Sequence, residues 1–393
     1  MANIKKYKMS LNVITALHVG GSEHKSVLKS NEYICDELNR TLYLIDENKF
    51  MQFLSESDLL DKYIEYIHRN VYQKRNQQDK VAGLYTFLEE NRSLNKIERF
   101  LLSTYEDVDV DNEIKLFIRD AYNQPYIPGS SIKGAIVNSL LVDHLIKDRD
   151  RYSSLKNTIL KEAKEVTDQK LANSFRKSTS NRIKEVIDKI LYYYPSRKIK
   201  QFGLSVSDSY ASENISSDFL QDHDEHRLKK EDPKPIPLCR EYLMPGSKLF
   251  FDLTLDIDLL EKTPLKIQNA KDILKAVENA SEYLTQHTLN VNKEYDLILG
   301  ANTGFHQKTI IHALFDKKDE LLQVTKALLH KKDPFFGSNR SKDKKAKKKT
   351  ENILVHLNDR ISPRVINRVD LGNFELAGVV QLVIMEEKHV GEN

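Results

Sequence analysis

Residues 126–136 read YIPGSSIKGAI, and this short stretch joins a strand pattern to a helix pattern. Before it, apolar residues of the segment 114–118 alternate with other residues, as in a half-buried strand. After it, IKGAIVNSLLVDHLIK places apolar residues at helical spacing. The proline and glycine suit a turn, and Ser130 or Ser131 suits the N-cap of the helix. The stretch therefore predicts a strand, a turn and a helix N-terminus.

The start of this helix has the features of an anion site. Free N–H groups of the first turn, the helix dipole and the ammonium group of Lys133 all favour a phosphate. The other interpretation is an ordinary capped helix, because serines and glycines occur at many helix starts. The stretch lacks the glycine spacing of a P-loop or a Rossmann turn, and Gly134 follows Lys133 where a P-loop has a hydroxyl for magnesium. An ATPase or another enzyme that uses a small nucleotide is therefore disfavoured.

The composition is typical of a globular protein. Of the 393 residues, 40% are hydrophobic and 30% are charged, and no segment approaches the roughly 18 apolar residues of a membrane span. The N-terminal sequence MANIKKYKMSLNV lacks the apolar run of a secretion signal, so we expect a cytoplasmic location. Cys35 and Cys239 form no CxxC pair, which argues against a disulfide framework and a cysteine zinc site. We expect no cofactor and no metal.

Positive charge is distributed unevenly along the chain. The formal net charge is only +3, yet residues 340–349, RSKDKKAKKK, contain seven basic residues and one acidic residue. Such a run is typical of a solvated loop and, less often, of a docking surface for polyanions.

Strand and helix patterns alternate twice along the chain. The first half begins with a strand and the loop HVGGSEHK, and it carries helical patterns at about 48–104 and 152–192. The second half contains a strand in QFGLSVSDSY, a hairpin in CREYLMPGSKLFFDLTLDI, a helix, and a closing strand in ELAGVVQLVIMEE. We therefore predict an α+β fold of two ferredoxin-like (RRM-like) modules with helical insertions, covering residues 1–200 and 201–393.

The order of these motifs resembles a known family. HVGG after the first strand, YIPGSSIKGAI, FGLSVSDS, REYLMPGSKLFFDL and LGANTGFHQKT together resemble the RAMP superfamily of CRISPR-associated RNA-binding proteins. Within that superfamily the chain looks most like the subunits that cap the guide-RNA 3′ end in type III-A (Csm) interference complexes. The resemblance implies RRM-like domains, binding of guide RNA (crRNA), contacts with other backbone subunits of the complex, recruited host nucleases for 3′-end maturation, and no catalysis by this subunit.

The resemblance also implies which loops approach RNA. The first set contains Gly20, Gly21, Gly129, Ser130, Ser131 and Lys133, and the second glycine loop contains Gly300, Gly304, Phe305 and Lys308. Phosphates are held by backbone donors and cations, and bases stack on aromatic faces, which His306 also offers. Arg240 is a further candidate, for a phosphate or for an ion pair with Glu241 or another carboxylate. Arg364 and Arg368 likewise suit either role, and the thin C-terminal segment LGNFELAGVV makes RNA contacts by Gly372 and Gly378 doubtful.

Three alternatives stay open at this point. Some RAMP relatives cut RNA without metal by using a histidine near the first glycine loop, and His18 lies there. The cluster HDEH at 223–226 suits a metal site or, more simply, a polar loop. The tyrosines of the segment 192–194 suit base stacking or packing into a core or a subunit contact. Cleavage of target RNA is disfavoured, because no aspartate follows the first glycine motif before Asp36.

Overall fold

The computed structural model describes the chain in segments, and the elements below belong to them. The described residues are 3–21, 27–28, 32–69, 83–105, 114–196, 199–211, 215–224, 233–287, 294–329, 365–370 and 373–389. The strands are β1 (Ile4–Val13), β2 (Val27–Leu28), β3 (Tyr33–Asp36), β4 (Thr41–Ile45), β5 (Leu101–Tyr105), β6 (Ile114–Lys115), β7 (Tyr193–Ser196), β8 (Ile199–Gln201), β9 (Leu204–Val206), β10 (Tyr210–Ala211), β11 (Ser217–Asp224), β12 (Lys234–Leu243), β13 (Lys248–Asp256), β14 (Leu297–Ile298), β15 (Val365–Asp370), β16 (Asn373–Glu375) and β17 (Val379–His389).

The helices lie mainly in two blocks and on one face of the central sheet. They are α1 (Glu47–Glu56), α2 (Leu60–Ile67), α3 (Leu84–Glu90), α4 (Gly129–Lys147), α5 (Ser153–Lys164), α6 (Gln169–Leu191), α7 (Ile257–Leu260), α8 (Ala270–His287), α9 (Gly304–Gln307) and α10 (Lys318–Leu328). Short 3-10 helices cover Leu94–Arg99, Arg149–Tyr152 and Ile311–Leu314.

A central antiparallel sheet organises the molecule. Its strand order is β10–β13–β1–β17–β14, and β9 also pairs with β13. Along the chain, β1, α4, β9 with β10, β13, α8 and β17 follow the β-α-β-β-α-β sequence of a ferredoxin-like fold. The expected α+β class is confirmed. The expected arrangement of two modules is not confirmed, because β1 pairs with both β13 and β17, so a boundary at residue 200 would divide the strands of one sheet.

The alternation of apolar residues explains this sheet. In β1, Tyr7, Met9, Leu11 and Val13 are buried, and the buried side chains of β13 are Leu249, Phe251, Leu253 and Leu255. The register places Met9 opposite Phe251. Helices α4 and α8 cover this face with residues such as Ile132, Ile136, Ile273 and Val277. Removing this apolar surface from water holds both helices on the sheet.

A second sheet lies beside the first, in the order β16–β15–β11–β12–β6–β2. The predicted hairpin of CREYLMPGSKLFFDLTLDI is wrong, because β12 belongs to this second sheet whereas β13 belongs to the central sheet. The turn between them is held by Gly246, whose N–H donates to the oxygen of Val13 at 2.9 Å. Leu17 and Leu243 exchange backbone hydrogen bonds on the other side of this junction. The turn therefore carries the chain from one sheet to the other.

Helices lie in both segments for which the sequence predicts helical insertions, but the end of the first segment is strand β5 rather than helix. Helices α1 to α3 pack around an aromatic core that includes Phe50, Phe53, Phe87 and Phe100, and they adjoin the small sheet β3–β4–β5. Helices α5 and α6 pack with the end of α4 and with α10 in a separate apolar core. In the described segments, no helix combines the length and the apolar character needed to cross a membrane.

Candidate nucleic-acid interface

The two glycine loops that the sequence singles out lie directly against each other. The backbone N–H of Ala301 donates to the carbonyl oxygen of His18 at 2.8 Å. Gly300 has φ +79°, and a Cβ atom at that position would lie 2.1 Å from the same oxygen. Glycine is required here because the contact is closer than any side chain permits and because left-handed backbone disfavours other residues. Residues far apart in sequence thus form one double loop.

The double loop forms one wall of a cleft with a volume of about 390 Å³. The lining residues are His18, Val19, Gly20, Gly21, Val27, Lys115, Leu116, Ser131, Arg240, Gly300 and Ala301. Five of the predicted site residues therefore converge: Gly20, Gly21, Ser131, Arg240 and Gly300. Lys115 and Arg240 are partners on the adjacent parallel strands β6 and β12, and no carboxylate is among the described residues of the lining. The lining places these two cationic side chains beside accessible backbone, as an anion site requires.

Arg240 is held in place by a buried carboxylate that the sequence analysis did not single out. Asp222 is 1% exposed and accepts the Arg240 Nε–H at 2.8 Å. The same carboxylate accepts the Tyr242 hydroxyl at 2.5 Å, Asn302 Nδ2 at 3.0 Å and Asn367 Nδ2 at 3.2 Å. Burial and the neighbouring Asp222 carboxylate raise the pKa of Tyr242 well above its ordinary value. Because Asn302 belongs to the second glycine loop, this network fixes that loop to the second sheet.

His18 has a single fixed orientation below the cleft. Its Nδ1 atom lies 2.7 Å from the carbonyl oxygen of Glu241, which can only accept, so Nδ1 carries the proton. Its Nε2 atom lies beside Gly20, at 3.2 Å from where a Cβ atom would stand. Burial lowers the pKa of His18 to about 4. The carboxylate of Glu241 pairs with Arg119 and accepts the Phe117 N–H at 2.9 Å, so Arg240 does not pair with Glu241.

Two hydrogen bonds join the YIPGSS and FGLSVSDS motifs. Gly129 N–H donates to Asp208 Oδ1 at 2.7 Å, and Ile127 N–H donates to Ser209 Oγ at 2.7 Å. A Cβ atom on Gly129 would lie 2.4 Å from the oxygen of Val206. The interaction explains the glycine, since the helix start must approach another backbone closely. It also means that the Gly129 N–H is already satisfied and is not a free phosphate donor.

The expected serine N-cap is wrong. Helix α4 begins at Gly129, and the residue at the N-cap position is Pro128, whose side chain makes no capping hydrogen bond. Ser130 and Ser131 therefore lie in the first turn, where Ser130 is exposed and Ser131 is half-buried against the cleft. Asp208 supplies the acceptor that a capping serine would otherwise provide.

Lys133 lies one turn into α4 and points to an aromatic ring. Its Nζ atom is 5.5 Å from the ring centroid of Phe202. The side chain is half-buried, and burial lowers the pKa of its ammonium group. This geometry is a cation–π contact.

The segment after the second glycine loop is divided between core and surface. Gly304 has φ +77° and begins α9, Phe305 is half-buried, and Lys308 is exposed. His306 is only 5% exposed and packs edge-on against His312 with ring centroids 5.9 Å apart. Burial lowers the pKa of His306 to about 4. The expectation that His306 offers a face for stacking is wrong, because the ring is buried and is not presented on the surface.

The remaining sequence candidates have structural roles or lie outside the described residues. His223 is buried and packs edge-on against Phe374 with ring centroids 5.0 Å apart, whereas 225–226 of the HDEH cluster lie outside the described residues. Gly378 is buried, with a Cβ position only 2.1 Å from the oxygen of Leu299. Across the described segments, no group of His, Cys, Asp and Glu side chains is arranged to hold a metal ion.

Three further predictions concern residues that the structure does not describe. Arg364, Gly372 and the basic run 340–349 lie outside the described residues, and so does the side chain of Arg368.

Comparison with known proteins gives consistent matches along most of the chain. The family model of the RAMP superfamily matches residues 10–337. The chain is 27% identical over 337 residues to the CRISPR system Cms protein Csm5 of Streptococcus thermophilus, covering 81% of this chain and 83% of that protein. It is 24% identical over 372 residues to the protein of the same name from Enterococcus italicus, covering 84% of this chain and 86% of that protein.

Among solved structures, the chain is similar to one chain in the cryo-EM structure of a Csm-crRNA-target RNA ternary complex of a type III-A CRISPR-Cas system. The TM-score is 0.55 at 17% identity, and the similarity covers 97% of this chain and 100% of that chain. This likeness concerns the fold.

Proposed function

Because this chain belongs to the RAMP superfamily, we propose that it is a guide-RNA-binding subunit of a type III-A CRISPR interference complex. Its partners are the guide RNA (crRNA) and the other Csm subunits. Two relatives that carry the name Csm5 and the fold shared with a chain of a Csm-crRNA-target RNA complex support this assignment.

The convergence of both glycine loops on one cleft with two cationic side chains is the observation that carries the proposal. Single-stranded RNA is held through its phosphates by cations and backbone N–H groups. Lys115 and Arg240 place two cations on adjacent strands. Gly20 and Gly21 have no side chains, so the backbone of their loop stays accessible in the cleft. The rigid support below, from Asp222 and Glu241, holds Arg240 and the loop of His18 in place. The cleft therefore suits a segment of RNA backbone that is read without regard to sequence.

The finer role that we propose is the one that the motif order implies. The subunit caps the guide-RNA 3′ end, it is non-catalytic, it acts in the cytoplasm, and host nucleases recruited to the complex trim the RNA beyond it. With a formal net charge of only +3, the isolated chain has little general attraction for RNA, so partners that extend the groove add to its affinity.

Co-purification of tagged chain with its complex and RNA tests this function. We expect Lys115→Glu to lower the amount of bound guide RNA and to leave its 3′ ends longer or heterogeneous, because a negative charge enters the cleft. Lys161→Glu is the matched control, since Lys161 is exposed on α5 and the charge change is the same. Thermal unfolding of each variant verifies the fold. If Lys115→Glu carries guide RNA of the same amount and 3′ ends as wild type, the cleft does not bind it.

The salt dependence of binding gives a second test with a milder variant. Each phosphate contact to single-stranded nucleic acid contributes about 0.7 to the slope of log K against log salt concentration. We expect Lys115→Gln to lower that slope by about this amount, and Lys161→Gln to leave it unchanged.

The alternative function is a metal-independent RNA endonuclease that uses His18. The observation in its favour is that His18 lines the cleft with Nε2 beside Gly20. With a pKa of about 4, the ring is neutral at pH 7 and has no proton to give from Nε2, so only a role as base fits. RNA cleavage by the purified chain in EDTA that disappears in His18→Gln would replace our proposal.

A further inference from the structure

A row of aromatic side chains lies where α6 ends and the β7–β8 hairpin begins. The ring centroids of Tyr194 and Tyr192 are 6.5 Å apart, and those of Tyr192 and Phe202 are 5.9 Å apart. Both pairs are edge-to-face contacts. We refer to Tyr192, Tyr194 and Phe202 as the aromatic row.

Lysines surround these rings. Lys200 Nζ is 4.5 Å from the Tyr192 centroid, and Lys133 Nζ is 5.5 Å from the Phe202 centroid. Lys200 is also held by Asp188 at 2.7 Å, which fixes its position. Beside the row, Lys262 Nζ is 5.0 Å from the centroid of Tyr193. Rings and cations interleaved in this way offer surfaces for bases and charges for phosphates.

The exposure of the row increases along its length. Phe202 and Tyr192 are half-buried and pack against the apolar cores below, whereas Tyr194 is 41% exposed. The inner rings are anchored, and the outer ring remains available on a short hairpin. A role in the core accounts for Phe202 and Tyr192, but it does not account for the exposed ring of Tyr194, which packs edge-on against Tyr192.

The row and the glycine-loop cleft share the first two turns of α4. Ser131 lines the cleft, and Lys133, which contacts Phe202, follows two residues later on α4. Two residues correspond to a rotation of about 200° around a helix axis. Ser131 and Lys133 therefore lie on opposite faces of α4, with the cleft on one side of this helix and the row on the other.

We propose that the aromatic row, on the other side of α4 from the glycine-loop cleft, is a stacking site for bases of single-stranded RNA. The inference rests on the proposed RNA-binding function and adds a site on the α6–β8 segment. RNA fits this surface better than a protein partner does, because lysines lie over the rings of Tyr192 and Phe202. Stacking is tolerant of sequence, which suits a subunit that holds guide RNAs of different sequence.

A second aromatic patch on the molecule provides a matched control. Tyr210 is 49% exposed and lies over the strand residue Phe250 with centroids 5.7 Å apart, and Lys8 Nζ is 5.8 Å from its ring. Tyr210 has the same residue type, similar exposure and a nearby cation. It lies opposite Phe250 on the central sheet, on the face that α4 and α8 do not cover.

The test measures binding of the full chain at low salt to two fluorescent RNAs, an oligouridine and an abasic strand of equal length. We expect Tyr194→Ala to weaken binding of oligouridine about fivefold or more, since one stacked base contributes on that scale. Tyr194→Phe keeps the ring and should bind oligouridine with wild-type affinity, and so should the control Tyr210→Ala. All of these variants should bind the abasic strand equally.

Each outcome bears on the inference. Unchanged oligouridine binding by Tyr194→Ala overturns it, as does an equal loss on both RNAs, which would indicate a general effect on the fold. Loss in Tyr210→Ala alone would place the bases on the open sheet face instead. If Lys115→Glu weakens binding of both RNAs while Tyr194→Ala changes neither, the inference fails and the proposed function stands. If neither variant changes binding, both fall.

Discussion

Gly300 meets His18 backbone to backbone, and a Cβ atom at Gly300 would lie 2.1 Å from the His18 carbonyl oxygen. The N–H of the next residue, Ala301, donates to that same oxygen. One oxygen thus joins the loop after the first strand to a loop almost three hundred residues later. This contact and the hydrogen bond from Asn302 to Asp222 together fix the wall of the cleft that the two loops form.

Substitution of Gly300 should lower the free energy of unfolding by more than the strain of a left-handed backbone alone. In Gly300→Ala the added methyl group meets the His18 oxygen, and overpacking of this kind costs about 1–3 kcal/mol on top of left-handed strain of about 1–2 kcal/mol. Gly246→Ala is the control, because Gly246 has φ +90° with nothing within 4 Å of its Cβ position. Urea unfolding should show the larger loss for Gly300→Ala. Equal losses would mean that the loops separate freely.

Two glycines on helix α4 should respond in opposite directions to alanine. Gly129→Ala introduces a Cβ atom 2.4 Å from the Val206 oxygen and should lower the free energy of unfolding by about 1–3 kcal/mol. Gly134 has no atom within 4 Å of its Cβ position, so Gly134→Ala should raise stability by about 0.5–1 kcal/mol through helix propensity. Chemical denaturation of both variants measures this, and a stabilised Gly129→Ala would contradict the close approach of the two motifs.

Removal of the buried carboxylate should destabilise the protein strongly. Asp222→Ala leaves Arg240 without its partner at a side-chain exposure of 13%, and breaking a buried ion pair in this way costs about 3–5 kcal/mol. The double variant Asp222→Ala with Arg240→Met removes both charges and should recover part of the loss. The coupling energy from the four urea unfolding curves reports the pair itself. Additive losses would show that the network does not depend on this ion pair.

The buried histidines predict a loss of stability in weak acid. Burial lowers the pKa of His306 to about 4 and that of His312 to about 3, from an ordinary value of 6.5. Their contribution to stability is fully present above pH 6.5. As the pH falls from 6.5 towards 4, these histidines bind protons in the unfolded chain but stay neutral in the folded chain, so the free energy of unfolding decreases.

A variant isolates this effect from the carboxylates. Each such histidine contributes a slope of about 1.4 kcal/mol per pH unit within that window. His312 is fully buried, so His312→Phe replaces a buried titratable ring by an apolar ring. Urea unfolding at pH 7 and pH 5 should show a smaller loss for His312→Phe than for wild type. The same pH dependence in both proteins would refute the assignment of His312.

Local pattern was sufficient for the single elements. Alternation in β1 and β13, the helical spacing after YIPGSS, and both helical insertions follow from which side chains must leave water, and the structure has each of them. Local pattern failed where the partner of an element mattered. The MPGS turn has the residues of a hairpin, yet its two strands belong to different sheets. His306 stands in a polar-looking loop, yet it is buried.

The sequence by itself determined the α+β class, the position of the glycine loops and the residue types that suit RNA, because periodicity, turn residues and charge are local properties. Only the tertiary structure decided that Gly300 lies against His18. It also decided that Asp222, rather than Glu241, pairs with Arg240. In the same way, only the structure shows that the Gly129 N–H donates to Asp208. Those pairings join residues tens to hundreds of positions apart. They are set by the packing of the whole chain, in which each buried donor and acceptor must find a partner.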